Sequence, residues 1–366
     1  MAIKIFLGKI RRKFKLNLIE KYGWNSKWEE KMTSKGLVGR VLLEHKHLYR
    51  VVTNDGEWLC SLSGKFKFDN NREAFPAVGD WVVLEQMPGE EKGIIQQVLP
   101  RQSQFSRKVA GTTMEIQLVA VNVDYVFLVM SLNQDFNVRR LERYLLSAWD
   151  SGATPVVVLT KKDACEQLDY YINEVESIAF GVEIFAVSSV TGEGIEDLAA
   201  LLGEGKTGAL LGSSGVGKSS LINALSGEEV MAVSDIREDD SKGRHTTTHR
   251  ELSLLPGGGL LIDTPGMREF QLWDSSEGIS NSFQDIEELA MQCRFRDCQH
   301  KQEPGCTIQE AIRSGVLKED RYRSYVKLLR ELAHMERKND LAAQKTERDK
   351  WKQLSKAQKN NKKRKV

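Results

Sequence analysis

Apolar and polar positions change rhythm along this chain. From Gly36 to Val98 they alternate in short runs: Leu37–Leu43, Leu48–Thr53, Glu57–Leu62, Asp80–Leu84 and Gly93–Val98. Turn residues separate the runs, among them Asn54-Asp55-Gly56, Asn70-Asn71 and Pro88-Gly89. Five short strands in about 65 residues, with no convincing helix between them, predict a small β-barrel. An OB-type barrel (OB-fold) leads, being five-stranded and of this size, and an SH3-like barrel stays open.

Beyond residue 105 the rhythm becomes strand–helix–strand. Asp124–Ser131 is a continuous apolar run, the pattern of a strand buried on both faces. Val138–Trp149 has helical spacing, Thr154–Thr160 is a second buried strand, and Cys165–Phe180 is amphipathic and helical. Val182–Val187 reads as a strand, Ile195–Leu202 as a short helix, and Lys206–Leu211 as a strand feeding a Gly-rich loop. This alternation predicts a doubly wound α/β domain. After residue 275 the strands stop. Residues 282–292 look helical and acidic, a Cys/His knot follows, and then helices rich in Leu, Arg and Lys. The expected organisation is a basic extension over 1–34, helical or weakly ordered, with Trp24 and Trp28. A barrel over 35–103, an α/β domain over 104–276, an α-helical Cys/His domain over 277–339 and a basic tail over 340–366 follow.

Composition excludes several classes. Of 366 residues, 40% are hydrophobic and 28% charged, which rules out a disordered, collagenous or disulfide-stapled chain. No apolar run approaches the roughly 18–20 residues that span a bilayer. Asn17, Glu20 and Lys21 interrupt the apolar start, so no secretory segment is expected and the protein reads as cytoplasmic, without membrane contact. Three of the five cysteines crowd together, which suits metal binding in a reducing compartment better than disulfides. The net charge of +2 conceals an asymmetry. Residues 1–16 hold six Lys/Arg and residues 350–366 hold eight, with no acid in either stretch, so the remainder is acidic. Basic ends suit a polyanion, although a solvated tail has the same composition.

The strongest motif is Gly212-Ser213-Ser214-Gly215-Val216-Gly217-Lys218-Ser219, which fills every fixed position of G-x-x-x-x-G-K-[ST]. An apolar strand enters it and a helical segment starting at Ser220 leaves. Glycines let backbone N–H groups wrap a phosphate, helped by the helix N-terminus. Lys218 is the catalytic lysine expected to reach the β- and γ-phosphates, and the Ser219 hydroxyl the one to bind Mg²⁺. Leu260-Leu261-Ile262-Asp263-Thr264-Pro265-Gly266 ends a strand in an acid and turns. Asp263 is the expected second Mg²⁺ anchor, and the Gly266 N–H the expected γ-phosphate sensor.

Thr160-Lys161-Lys162-Asp163 follows a buried strand and resembles the N/T-K-x-D motif of GTPases, whose acid accepts hydrogen bonds from guanine. Val187-Ser188-Ser189 follows the next strand and resembles the loop that meets the guanine carbonyl. Both stand at carboxyl ends of strands, where α/β sites form. The base motif precedes the phosphate loop, the reverse of ordinary GTPases. A parallel sheet tolerates this if the same loops meet at one rim, so the order implies a circularly permuted GTPase. Between Ser219 and Asp263 lies Gly243-Arg244-His245-Thr246-Thr247-Thr248, a polar stretch expected to be a switch loop, where a Thr such as Thr246 or Thr247 closes over Mg²⁺. Met267 follows Asp-Thr-Pro-Gly, and a thioether cannot orient water. His245 is the catalytic candidate for that task, with a solvated loop histidine as the alternative.

Cys293, Cys298, His300 and Cys306 offer three thiolates and one imidazole, the donor set of a closed structural Zn²⁺ site. Cys60 and Cys165 stand apart. Tyr49, Trp58, Phe66 and Phe68 of the barrel are either base-stacking surfaces or core.

The order of motifs, the leading barrel and the trailing Cys/His knot together resemble the circularly permuted ribosome small subunit-dependent GTPase A family, a bacterial assembly factor. The resemblance covers residues 37–335. It implies an OB-fold, a permuted GTPase domain that uses GTP/GDP and Mg²⁺, and a zinc-binding domain. It also implies a monomer acting on the small ribosomal subunit and its rRNA in late maturation, with slow hydrolysis that the subunit stimulates and that drives release. Thr160 departs from the usual Asn of such motifs. Threonine braces the phosphate loop only in part, so a lower nucleotide affinity is expected. Two other classes remain open: a P-loop ATPase, and a non-enzymatic RNA-binding module with a vestigial nucleotide site.

Overall fold

The computed structural model describes residues 17–70, 72–108, 116–133, 135–228, 250–263, 282–301 and 303–333. The chain divides into two units, residues 1–271 and 272–366.

The first unit opens with two single helical turns, α1 (Leu18–Lys21) and α2 (Ser26–Glu29), the latter started by Asn25, whose side chain accepts from the Lys27 N–H. Five strands follow: β1 (Leu37–His45), β2 (Leu48–Thr53), β3 (Gly56–Leu62), β4 (Trp81–Gln86) and β5 (Lys92–Val98). They close in the order β1-β2-β3-β5-β4-β1, with β3 and β5 parallel and the other neighbours antiparallel. Register shifts at Val41/Leu43 and Val83/Leu84 supply the local bends that closure needs. Tyr49, Val51, Trp58, Cys60 and Ile95 fill the interior. Tyr49 and Trp58 are therefore core, Phe66 packs against it, and Phe68 alone of the four aromatics is fully out in solvent, at 91% exposure.

One feature differs from expectation and one goes beyond it. A six-residue helix, α3 (Gly64–Asp69), follows β3, started by Ser63, which accepts from the Phe66 N–H. It is too short for its periodicity to show. Residues 17–34 are integral to the fold: Ile19 and Trp28 are buried with Trp81, Val83 and Leu99, and the Trp24 ring meets Trp81 edge-on at 4.9 Å. They seal an outer face of the barrel. Residues 1–16 and 340–366 lie outside the described residues.

A hairpin, β6 (Gln104–Lys108) and β7 (Ile116–Val121), leads into the α/β part. There β8 (Tyr125–Ser131), β9 (Thr154–Thr160), β10 (Glu183–Ala186), β11 (Thr207–Leu211) and β13 (Leu260–Asp263) run parallel in the order β10-β9-β8-β11-β13. Strand β12 (Glu251–Leu254) pairs antiparallel with β13. Helices α4 (Val138–Ser151), α5 (Leu168–Glu176), α6 (Ile195–Leu201) and α7 (Lys218–Ser226) cover both faces. Strand β8 shows why its sequence reads as continuously apolar. Val126, Leu128 and Met130 pack with α4, while Phe127 and Val129 pack with α6 and α7. Helix α4 starts at Asn137, which accepts from the Arg140 N–H, and stops at Gly152 in the left-handed region.

The barrel and the α/β sheet join edge to edge. Leu43 of β1 pairs with Glu251 of β12, and Arg50 bridges to Glu251. The fully buried Arg40 of β1 crosses the same junction. It donates to the Tyr22, Gly79 and Asn122 carbonyls at 2.5, 3.2 and 3.2 Å and to Thr207 Oγ1 at 2.9 Å.

The second unit holds α8 (Gln284–Met291), α9 (Thr307–Arg313) and a helix that includes residues 319–333. Arg321 fastens it, bonding both Asp285 carboxylate oxygens while its guanidinium lies 4.9 Å from the Phe283 ring. Among the described residues, no helix is long and apolar enough to cross a membrane.

Candidate nucleotide site and metal centre

Strand β11 is buried at every position, so the chain leaves it in a fixed direction. It must then turn against β8. A Cβ at Gly212 would lie 2.5 Å from the Val129 carbonyl, so only glycine passes. Val216 is fully buried and pins the loop from below, while Ser214 and Gly215 face outward. Gly217, at φ 95°, turns the chain into α7. The Lys218 ammonium reaches back to the Gly212 and Ser213 carbonyls, at 2.6 Å each. Ser219 and Ser220 are half-buried in the first turn of α7. The result is a rim of backbone N–H groups around a positive charge, a cradle for phosphate.

The Thr160–Asp163 loop touches this cradle directly. The Thr160 hydroxyl, buried at the end of β9, donates to the Val216 carbonyl at 2.6 Å. Lys161, at φ 62°, donates to the Gly215 carbonyl at 3.1 Å. So threonine does brace the loop, through its hydroxyl. Asp163 is exposed, and one carboxylate oxygen accepts from the buried Ser188 hydroxyl at 2.5 Å. That hydroxyl also accepts from the Val190 and Thr191 N–H groups, which fixes Ser188 and hence Asp163. Ser189 is half-buried beside it. Lys162 turns away to Glu193, 2.5 Å off, and ties the two loops together. The loops after β9, β10 and β11 thus meet at one carboxyl rim, as the motif order requires.

Asp263 ends β13, next to β11, where Ile262 stands level with Ala209. Its side chain lies outside the described residues, as do His245, Thr246, Thr247 and Gly266.

Sequence reasoning missed two side chains at this site. Asp135 and Arg140 come from the loop after β8 and the first turn of α4. Asp135 accepts from the Ser213 hydroxyl at 2.9 Å, and Arg140 donates to Ser213 Oγ at 2.7 Å and to both Asp135 oxygens at 2.9 and 3.1 Å. Burial pulls the Asp135 carboxyl up, but the hydrogen bonds from Arg140 and Ser213 and the charges of Arg140 and Lys161 outweigh it and hold it below the usual carboxylate range. The available signal was position: an acid at the carboxyl end of a buried strand.

In the second unit, Cys293, Cys298, His300 and Cys306 bring one donor atom each within 4.8 Å of one another. The Cys293 and Cys306 sulfurs are 3.9 Å apart, and each lies 3.5 Å from His300 Nδ1. Tetrahedral bonds of about 2.3 Å to sulfur and about 2.0 Å to nitrogen imply edges of about 3.8 and 3.5 Å, so these donors fit zinc. Cys306 precedes α9, and His300 adopts φ 56°, the turn that brings its ring back to the sulfurs.

The comparisons with known proteins agree with this geometry. A family model described as RsgA GTPase matches residues 98–273. Another, described as ABC transporter, matches residues 195–363. Within the nucleotide site that match takes in the strand, phosphate loop and helix that P-loop proteins share, together with Asp263. The Thr160–Asp163 and Ser188–Ser189 loops after β9 and β10 lie outside it. A protein of Listeria innocua serovar 6a, named small ribosomal subunit biogenesis GTPase RsgA 1, is 47% identical over 93% of this chain and 96% of its own. One from Methanosarcina acetivorans, named small ribosomal subunit biogenesis GTPase RsgA, is 39% identical over 91% and 90%. Among solved structures, YjeQ from Thermotoga maritima aligns with TM-score 0.61 and 30% identity, covering 81% of this chain and 98% of that one. YloQ, described as a circularly permuted GTPase, aligns with TM-score 0.61 and 27% identity, covering 83% and 97%.

Proposed function

The chain belongs to the RsgA GTPase family, and from that premise we propose that it binds the maturing small ribosomal subunit, acts late in its assembly, and uses GTP hydrolysis to drive its own release. The observation that carries the nucleotide half is the convergence at one rim. Thr160 and Lys161 hold the phosphate loop, while the next acid in the same motif, Asp163, is held out by Ser188. A carboxylate so placed pairs with the ring N–H and amino group of guanine, and adenine offers no such pair. The ribosomal half is supported by the names of relatives that match nearly the whole chain.

In this reading the loop from Gly212 to Ser219, with Ser220, wraps the phosphates and Lys218 neutralises them. Ser219 and Asp263 would hold Mg²⁺, which when bound would supply charge neutralisation to the phosphates. A threonine of the switch loop, Thr246 or Thr247, would close over the Mg²⁺, the Gly266 N–H senses the γ-phosphate, and His245 orients the attacking water. Cys293, Cys298, His300 and Cys306 hold one structural zinc. The working division is a barrel over 35–103, a GTPase domain over 104–276 and a zinc domain over 277–339, in a cytoplasmic monomer. The barrel and the basic segments 1–16 and 350–366 meet rRNA phosphates.

Multiple-turnover GTP hydrolysis with and without purified small subunits tests the proposal. Turnover should be slow alone and rise by at least tenfold with subunits, and binding to subunits should weaken steeply with salt. Equal rates in both conditions, with no co-sedimentation, would overturn the ribosomal reading. Equal hydrolysis and binding of ATP would overturn the guanine reading.

A further inference from the structure

Among the described residues, the phosphate loop has four sets of side-chain tethers, and three serve its glycine-rich backbone: Thr160 on Val216, Lys161 on Gly215, and Lys218 on Gly212 and Ser213. The fourth is of another kind. It is a closed triangle of Ser213 hydroxyl, Asp135 carboxylate and Arg140 guanidinium. It places a full negative charge one hydrogen bond from a loop built for a polyphosphate. Alone, that charge would repel the ligand. Arg140 cancels it with a two-pronged contact to both carboxylate oxygens. Asp135 is 42% exposed and Arg140 28%, so solvent and salt can screen the pair.

We propose that Arg140 and Asp135 are paired positioning residues that fix Ser213 and set the electrostatic balance of the phosphate loop, and thereby the preference for GTP over GDP. This rests on the nucleotide site proposed above. The reasoning is one of charge count. GTP carries more negative charge than GDP, so any uncompensated charge beside the loop acts on GTP more strongly. Losing Arg140 exposes Asp135 and disfavours GTP. Losing the Asp135 charge exposes Arg140 and favours GTP. A merely structural role has no such sign, since loosening the loop weakens both nucleotides in the same sense for either substitution.

The test measures equilibrium binding of fluorescent GDP and of a non-hydrolysable GTP analogue to the full chain. For Arg140→Ala we expect the GTP:GDP affinity ratio to fall about three- to tenfold, and for Asp135→Asn to rise about two- to fivefold, by Coulomb energies at effective dielectrics near those of protein surfaces. The double substitution should return the ratio to within about twofold of the starting value. Arg140→Lys keeps the charge without the fork, so it should restore the ratio but not the full affinity. The ratio shifts should shrink at about 0.5 M salt. Ratios unchanged, or moving in the same direction in both single variants, would overturn the proposal. If Arg140→Ala fails to fold, Asp135→Asn decides alone, and an unchanged ratio there is the refuting result. Failure of the unsubstituted chain to bind either nucleotide would instead strike at the nucleotide site itself.

Discussion

Arg40 gives the sharpest stability prediction. It is fully buried, forms no ion pair among the described residues, and serves four acceptors from four segments. Consider Arg40→Met, which keeps the length and removes the donors. Two acceptors retain options. The Gly79 carbonyl also accepts from the Asn122 amide at 3.1 Å, and the Thr207 hydroxyl can rotate. The Tyr22 and Asn122 carbonyls lose the donor they have at Arg40. An orphaned buried acceptor costs about 1–3 kcal/mol, which gives about 2–6 kcal/mol for the pair. Methionine relieves part of that, because burial penalises the charged guanidinium, whose pKa is pushed down to about 10. The expected net loss is about 2–4 kcal/mol, a large share of an ordinary stability. The assay is urea denaturation of the nucleotide-free chain followed by tryptophan fluorescence. Trp81 is a local reporter, its ring 5.3 Å from the Arg40 guanidinium. Arg40→Lys should fall between, since one ammonium cannot reach four separated acceptors. A loss below about 1 kcal/mol for Arg40→Met would refute the reasoning and mean that the acceptors find water.

Four further outcomes are expected. Thr160→Val removes the 2.6 Å brace and should weaken GTP and GDP alike by about tenfold, whereas Thr160→Ser should stay near the parent; equal affinity for Val would refute the brace. Asp163→Asn should erode guanine selectivity in competition of GTP against ATP, and an unchanged preference would remove Asp163 from base reading. Cys298→Ser should abolish stoichiometric zinc in a metal assay and lower the melting temperature of the zinc unit, with metal-replete full stability as the contrary result. His245→Ala should cut turnover at least tenfold while leaving GTP affinity nearly intact, and unchanged turnover would end its role.

How much is legible in the sequence depends on how local the physics is. Strand β9, Thr154–Thr160, can be read to the residue, because a run buried on both faces has sharp polar ends. The phosphate loop is legible because glycine is needed at fixed spacings. The Cys293, Cys298, His300 and Cys306 set is legible because three thiols and an imidazole so close together are the donors a closed zinc site uses. The exact helical turns before β1, and their docking on the barrel, are not. Four residues cannot show a period, and their stability comes from Trp24 and Trp28 reaching Trp81, more than fifty positions on. Arg40 is invisible for the same reason. Its partners are scattered from Tyr22 to Thr207, and a lone arginine in a strand looks like a solvated position. Thr160 stands out in its motif, but its strength as a brace does not. Its hydroxyl is shorter than an asparagine amide, and only the observed approach of Val216 shows that it reaches the loop.

The permuted order also explains why the loop after β8 matters. In space the sheet runs β9-β8-β11, so β8 lies between the strand that ends in the Thr160–Asp163 loop and the strand that opens the phosphate loop. The loop leaving β8 is therefore the one positioned to touch both. Its contact toward β11 is side chain on side chain, Asp135 and Arg140 on Ser213. Its contact toward β9 is made at the strand end, where the Leu132 N–H donates to the Thr160 carbonyl at 2.9 Å. A shift of the β8 loop must disturb Thr160 and Ser213 together, and through them Val216 and Lys218. Chain order places this loop well before either motif, with Asp135 ahead of both Thr160 and Gly212, yet the fold sets it between them. The Thr160–Asp163 loop and the phosphate loop are thus joined through a segment that neither motif contains.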